Sequence, residues 1–333
     1  MQTIRWGIIG CGDVTEVKSG PGFQKAQGSA LVAVMRRNAG LAEDYARRHS
    51  VPRWYSDADQ LIADPEVDAV YVATPPSSHK QYALAAARAG KPVYVEKPMA
   101  LNAAECDEMI EACRQAGVPL WVAYYRRAQP KFLAVRDLLA AGEVGDMRFA
   151  RVLLQRVPVA AEADPASRTW RFAPEVSGGG HLLDMGSHML DLLDFFLGPV
   201  QTAQGIAASQ AGLYPAEDSV VANLAFERGV LGVGVWNSAC HAPADLIELV
   251  GDRGELRFAC FDPSPIILVR DGRAREIAAE QPAHVQQPLI QTIVDELNGT
   301  GQCPSTGESG ARTTRVIDAI LADYRTIWAT PAA

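Results

Sequence analysis

No apolar run in this chain approaches the ~18 residues that a membrane-spanning helix requires. Cysteine is sparse as well. The six residues Cys11, Cys106, Cys113, Cys240, Cys260 and Cys303 include no Cys-x-x-Cys pair and no Cys/His cluster at zinc-ligand spacing. Neither a disulfide scaffold nor a structural metal site is therefore expected, and the cysteines read as buried thiols in a reducing compartment. Excess positive charge is missing too: 31 Lys+Arg against 39 Asp+Glu leave a net charge of -8, which makes nucleic acid a poor partner. The first ten residues, MQTIRWGIIG, lack the basic n-region, apolar h-region and small-residue cleavage site of a secretory signal, so the expected location is cytoplasmic and no membrane partner is expected. Neither a repeat nor a low-complexity linker interrupts the chain.

What is present is ample material for burial. The 333 residues, 48% of them hydrophobic, exceed what one core needs, so two domains are the first expectation. Up to about residue 123, short continuous apolar runs (IRWGIIG, ALVAVM, DAVYVAT, PVYVE, PLWVAY) alternate with helical stretches (LAEDYARRHS, SSHKQYALAAARAG, NAAECDEMIEACRQAG), the last two closing on a glycine that reads as a C-cap. This rhythm predicts an α/β fold, with an N-terminal Rossmann-type doubly wound parallel sheet over residues 1–123. After a connecting helix, PKFLAVRDLLAAGEVG, the pattern changes to strands separated by the turn signals ERG, GDRG and RDG. Residues 124–333 are thus expected to form an α+β domain with a large, mostly antiparallel sheet, and a terminal helix at about 306–328 packs back on the body.

The first strand runs into GIIGCGDVTE, which sets Gly10-x-Gly12 directly before a helix that begins at Asp13 and Val14. In a dinucleotide site the first glycine makes the tight turn and the second lets the backbone approach a pyrophosphate. Thr15 stands where Gly or Ala is usual, and a tight turn without ligand is the open alternative. The second strand ends in Met35, Arg36 and Arg37 where an NAD site would carry an acid. Arginine there suits a 2'-phosphate; one charge-assisted bond contributes roughly 1.5–3 kcal/mol, about a tenfold to hundredfold preference for NADP(H) over NAD(H). Solvated strand-end arginines are the alternative. At the same sheet edge, ATPPSSH offers Thr74, Pro75 and His79 as cofactor contacts, His79 equally reading as a helix residue without ligand. VYVEKPMA adds Glu96 and Lys97, with Pro98 fixing the chain's exit.

The strongest signal lies in SGGGHLLDMGSHMLDLLDFFLG, residues 177–198. On a helix, Asp184, His188 and Asp191 stand at i, i+4 and i+7 and form one polar stripe on an otherwise apolar surface. A histidine with a carboxylate one turn away meets the requirements of a general acid/base, with a structural Asp-His pair as the alternative. The Gly178-Gly179-Gly180 run allows close backbone approach to another element.

Taken together, GCGDVTE, TPPSSH, EKP and WRFAPEVSGGGHLLDMGSH, in this order, resemble the Gfo/Idh/MocA oxidoreductases, named after glucose-fructose oxidoreductase and inositol dehydrogenase, over nearly the whole chain. The resemblance implies that Lys97, Asp184 and His188 are catalytic. It implies hydride transfer between a nicotinamide and the hydroxyl or carbonyl carbon of a sugar, a cyclitol or a related diol, with NADP(H) preferred and NAD(H) possible. Trp170 and Arg171 are nominated for the cofactor by the same likeness, and Tyr124 and Arg126 join Lys97, Asp184 and His188 as substrate-binding candidates. It also implies a homodimer or homotetramer formed through the open face of the C-terminal sheet. Two further activities on this fold compete: glycoside hydrolysis through transient oxidation by a tightly held NAD, and cofactor sensing without catalysis.

Overall fold

Short runs rich in β-branched and aromatic residues, most of them buried on both faces, line up as a parallel sheet in the computed structural model, which describes residues 2–159, 162, 164 and 169–329. The strands are β1 (Ile4–Ile9), β2 (Ser29–Met35), β3 (Arg53–Tyr55), β4 (Ala69–Val72), β5 (Val93–Val95) and β6 (Leu120–Val122), in the spatial order β3-β2-β1-β4-β5-β6. Every neighbouring pair is parallel, which gives the doubly wound arrangement with its switch point between β1 and β4. Sequence periodicity missed β3 because three half-exposed residues at a sheet edge carry no alternation. The expected helix stops hold, with Gly90 at φ +71° and Gly117 at φ +67°.

One face of this sheet is built on large rings. Trp6, Phe23, Tyr71 and Tyr94 are fully buried, with Phe23 at 4.8 Å from Trp6 and 5.2 Å from Tyr71, and Tyr71 stacked on Tyr94 at 4.8 Å. Leu289, Ile290, Ile293 and Val294, on the helix Gln287–Leu297, complete the same cluster. The division of the chain therefore differs from a single cut near residue 124. The first unit runs to Gln129 and takes back Pro282–Ala311; the second comprises Pro130–Gln281 and the residues from Arg312. Periodicity identifies an amphipathic helix but not the distant surface it covers, which is why this return is invisible locally.

The second unit carries an eight-stranded sheet. Its members are β7 (Met147–Gln155), β8 (Val200–Ala208), β9 (Ser219–Phe226), β10 (Leu231–Asn237), β11 (Ala244–Gly251), β12 (Gly254–Phe258), β13 (Ile266–Arg270) and β14 (Arg273–Ile277). The order is β14-β13-β12-β11-β7-β10-β9-β8, antiparallel except where β7 meets β10. The tight turns fall where the sequence signals them, with Gly229 at φ +82°, and Asp271 and Gly272 at φ +51° and +70°.

Alternation sends Val220, Ala222, Leu224 and Phe226 of β9 into a core shared with Leu190, Leu192 and Leu193 of the helix Ser187–Leu197. The residues between them form rows across the opposite face. Ile206, Val221, Val235, Leu153 and Leu246 are direct cross-strand neighbours in one apolar row, and Ala225, Leu231, Phe149 and Val250 in a second. Between the two runs a polar row in which Glu248 pairs with Arg151 at 2.6 Å and with Arg257 at 3.0 Å. The terminal helix is two pieces, Gly307–Ile320 and Ala322–Ala329, with the hydrogen bonds from Leu321 N to Ile317 O and from Arg325 N to Leu321 O carrying across the break. Among the described residues no helix is long and apolar enough to cross a membrane. Five of the cysteines are buried as expected, while Cys240 is only half-buried.

Candidate active site

In the first unit the candidate residues gather at the carboxyl ends of the parallel strands, and hydrogen bonds just past each strand hold that edge level. Gly10 N and Cys11 N both donate to Met35 O, at 2.9 and 3.1 Å; Ala73 N donates to Ile9 O, Glu96 N to Val72 O and Ala123 N to Val95 O, each at 2.8 Å. Gly10 has φ +93°, and a Cβ there would lie 2.7 Å from Thr74 Cγ2, so only glycine fits this turn. Gly12 is different, since a Cβ would meet nothing nearer than Gly10 O at 3.9 Å. The space above it is open to a phosphate, and the backbone amides of Asp13 and Val14 begin the helix there. Thr15 is buried, donates its hydroxyl to Gly12 O at 2.8 Å and accepts at its carbonyl from Tyr45 Oη at 2.9 Å. A Cβ on Gly20 would stand 2.2 Å from Thr15 O, which explains the glycine that follows the short first helix.

Arg36 and Arg37 are exposed, and Arg36 Nη1 lies 3.5 Å from Cys11 O, so the guanidinium leans over the glycine turn. Thr74 is half-buried and its Oγ1, shielded from water, has no partner among the described residues. An open glycine, an orphaned buried hydroxyl and an exposed arginine at one sheet edge fit a dinucleotide.

His79 does not fit the cofactor-contact role expected of it. It is fully buried: Nε2 meets Thr74 O at 2.7 Å, and Nδ1 meets Pro98 O at 3.0 Å and Met99 O at 3.2 Å. Burial lowers its pKa, although the surrounding carbonyls and Glu96 oppose this. The imidazole is packed between the Thr74 loop and the turn after Lys97.

Glu96 is likewise inside, 6% exposed, and not at the ligand surface. Tyr71 Oη and Gln286 Nε2 donate to its Oε1, at 2.5 and 2.7 Å, and the Lys97 amide donates to its Oε2 at 3.0 Å. Burial holds the Tyr71 phenol well above its ordinary pKa, so it remains a donor. Lys97 itself is half-buried and joined to Pro98 by a cis peptide. Tyr124 is fully buried in the apolar cluster around β4, β5 and β6, and Arg126, 6% exposed, stacks 5.0 Å over the Tyr125 ring.

In the second unit Trp170 is 39% exposed, with the Arg171 guanidinium 4.7 Å over its ring. Asp184 lies in a π-helical turn, Leu182–Gly186, that feeds the helix Ser187–Leu197. The i→i+4 hydrogen bonding of a regular helix gives way there to an i→i+5 pattern, and such π-turns concentrate at functional sites. Asp184 is half-buried; His188 is 4% exposed, with Phe261 edge-on to its ring at 6.1 Å. Asp191, third in the expected stripe, is buried and accepts from Thr313 Oγ1 at 3.4 Å, which makes it part of the packing.

A polar group beside Asp184 escaped sequence reading. Arg156 Nη1 lies 3.0 Å from His181 Nδ1, and His181 Nε2 lies 3.3 Å from Glu162 Oε1. Burial and the Arg156 charge lower the His181 pKa, leaving a neutral ring. Only the unusual histidine after three glycines signals this group in the sequence; Arg156 and Glu162 come from other segments.

Comparisons with known proteins follow the same lines. Residues 4–124 match the GFO_IDH_MocA model, described as an oxidoreductase family with an NAD-binding Rossmann fold, and residues 132–257 match the GFO/IDH/MocA C-terminal domain. The chain is 38% identical to oxidoreductase P35 of Formosa agariphila over 95% of this chain and 97% of that protein. It is 30% identical to 1,5-anhydro-D-fructose reductase of Ensifer adhaerens over 92% of each. The fold is similar to that of aldose-aldose oxidoreductase from Caulobacter crescentus, solved with glycerol, with a TM-score of 0.86 at 24% identity and 98% of both chains covered.

The three groups around Glu96 are all donors, so an amide in its place would turn an N–H toward a donor. Glu96→Gln should lower the free energy of unfolding by about 1–3 kcal/mol in urea titrations, and an unchanged midpoint would show that these donors find other acceptors.

Proposed function

The chain belongs to the Gfo/Idh/MocA oxidoreductase family, and on that premise we propose that it is an NADP(H)-dependent enzyme of sugars, cyclitols or related diols, moving a hydride to or from a hydroxyl-bearing carbon. Membership makes it an oxidoreductase with an NAD-binding Rossmann domain. The observation that carries the finer reading is the Asp184 and His188 pair on a segment where Leu182, Leu183, Met189, Leu190, Leu192 and Leu193 are all buried. Two ionisable groups in such surroundings are disfavoured unless they serve chemistry or a network.

When bound, the nicotinamide supplies the hydride acceptor or donor. In the oxidative direction His188 takes the hydroxyl proton as general base, and in reduction it returns that proton. Lys97 donates a hydrogen bond to the same oxygen and stabilises the negative charge that develops there. Asp184 orients the His188 ring. Glu96 and His79 do not touch the substrate in this scheme: they fix the backbone on either side of Lys97, so that the ammonium is held by a turn with little freedom. Arg36 and Arg37 take the 2'-phosphate, a role supported by their exposure at the end of β2 and by the lean of Arg36 over the Gly10–Gly12 turn.

The name of the Ensifer adhaerens relative points to anhydro-ketoses as first substrates to try, followed by aldoses, inositols and dihydrodiols. The protein is further proposed to work as a homo-oligomer through the open face of the second sheet. Support comes from the exposure of Ile206, Val221 and Leu231, at 80%, 46% and 58%, within the two apolar rows.

Turnover is read from the absorbance of the reduced nicotinamide as these substrates are added with NADP⁺ or NADPH. His188→Ala should lower kcat by about 10²–10⁴-fold with NADPH affinity retained, and an undiminished kcat removes His188 from the scheme. Replacing Arg36 and Arg37 by alanine should cut the NADP/NAD ratio of kcat/KM by roughly tenfold to hundredfold; a wild type equally efficient with NAD would overturn the preference. Ile206→Glu should reduce the mass measured by light scattering to that of a smaller species, whereas a wild type that is already monomeric sinks the proposed assembly.

A further inference from the structure

The triple glycine ahead of Asp184 is gripped at both ends. Gly180 N donates to Glu217 Oε1 at 2.9 Å, and Gly178 O accepts from Arg325 Nη2 at 3.1 Å. Ser177 Oγ holds the middle of the turn by donating to Gly179 O at 2.7 Å. The glycines are required by this grip: Gly178 has φ +87°, and a Cβ on Gly180 would lie 2.2 Å from Glu217 O. Gly180 also passes the constraint on, because its carbonyl accepts from Leu183 N at 3.2 Å and from Asp184 N at 3.3 Å. One residue thus links the Glu217 carboxyl to the backbone of Asp184.

We propose that Glu217 and Arg325 are positioning residues, a clamp of opposite charges across the Gly178–Gly180 turn that sets where the π-turn starts and hence where Asp184 and His188 stand. This role rests on the catalytic reading of Asp184 and His188 given above. Neither residue touches the reacting atoms; each acts through backbone.

The clamp also titrates. Glu217 is 1% exposed, and its Oε2 has no partner among the described residues. Burial pushes its carboxyl up to about 7; the Gly180 amide and the Arg325 charge pull it down, and the adjacent Asp218 pushes it further up. His181 faces the same small cavity, together with Trp236 and Ser238. Above neutrality the ionised carboxylate makes a charge-assisted bond to Gly180 and attracts Arg325; below it the protonated group accepts more weakly. The sign for stability is opposite. A carboxyl whose pKa is raised from 4.5 to about 7 on folding favours the fold below pH 4.5 and loses that contribution as pH rises through 7.

The test measures kcat, KM, NADPH affinity and Tm for Glu217→Gln, Glu217→Leu, Arg325→Lys and Arg325→Met from about pH 5 to 9, beside His188→Ala. Glu217→Leu and Arg325→Met should lower kcat by roughly 10- to 100-fold with NADPH affinity unchanged, and the two conservative variants should recover most of it. Glu217→Gln should also flatten the component of the kcat profile near neutral pH, and its Tm should rise relative to wild type as pH increases from about 5 to 7. Full activity in Glu217→Leu and Arg325→Met, with His188→Ala inactive, sinks the clamp and spares the catalytic reading. A glutamine variant as impaired as the leucine one, or with an unaltered pH profile, also overturns it. Undiminished turnover in His188→Ala removes the catalytic reading and the clamp's role with it.

Discussion

Taking Glu96 out of water costs free energy that only converging donors can offset, and three converge: the Tyr71 hydroxyl, the Gln286 amide and the Lys97 backbone N–H. The edge of the parallel sheet depends on that arrangement. Tyr71 belongs to the aromatic cluster under the sheet and Gln286 leads into the helix that completes it, so the carboxylate ties the core to the turn bearing Lys97. His79 closes the other side by bridging Thr74 O to Pro98 O and Met99 O. The backbone that carries Lys97 is thus tied on both sides, which suits the positioning role proposed for that turn.

The second unit solves the same problem with different parts. Asp184 and His188 are mediocre helix formers on a segment that is apolar elsewhere, and they are presented through a π-turn whose start is fixed from outside by Glu217 and Arg325. In both units the side chains proposed for catalysis are backed by a buried carboxyl group, Glu96 in the first and Glu217 in the second. Specific geometry is thus separated from reactivity: the first is stored in buried polar networks, the second in side chains at their margin.

Much of this was legible locally. Period-two and continuous apolar runs located all of the described strands but β3 and β8, and Gly90, Gly117, Gly229 and Gly272 marked helix ends and turns through the positive φ that other residues resist. Gly10-x-Gly12, the arginines after β2, Lys97 and the Asp184/His188 pair all lie at the strand ends or on the buried segment that their patterns indicated. The misreadings share one cause. His79 and Glu96 sit inside functional motifs, and a motif does not say which of its polar members points outward. Asp191 was placed by helical spacing alone, and Thr313, 122 residues away, turns it into packing.

Sequence by itself determined which residue types the two units could bring to chemistry and which elements would carry them, because strand and helix periodicity and glycine stereochemistry act over a few residues. Tertiary structure alone decided which polar groups are buried as supports and which are left to act. That choice depends on partners far along the chain: Gln286 stands 190 residues from Glu96, Glu217 stands 37 from Gly180, and Arg325 stands 147 from Gly178. Desolvation and hydrogen-bond satisfaction are properties of the assembled neighbourhood, and no local pattern encodes them.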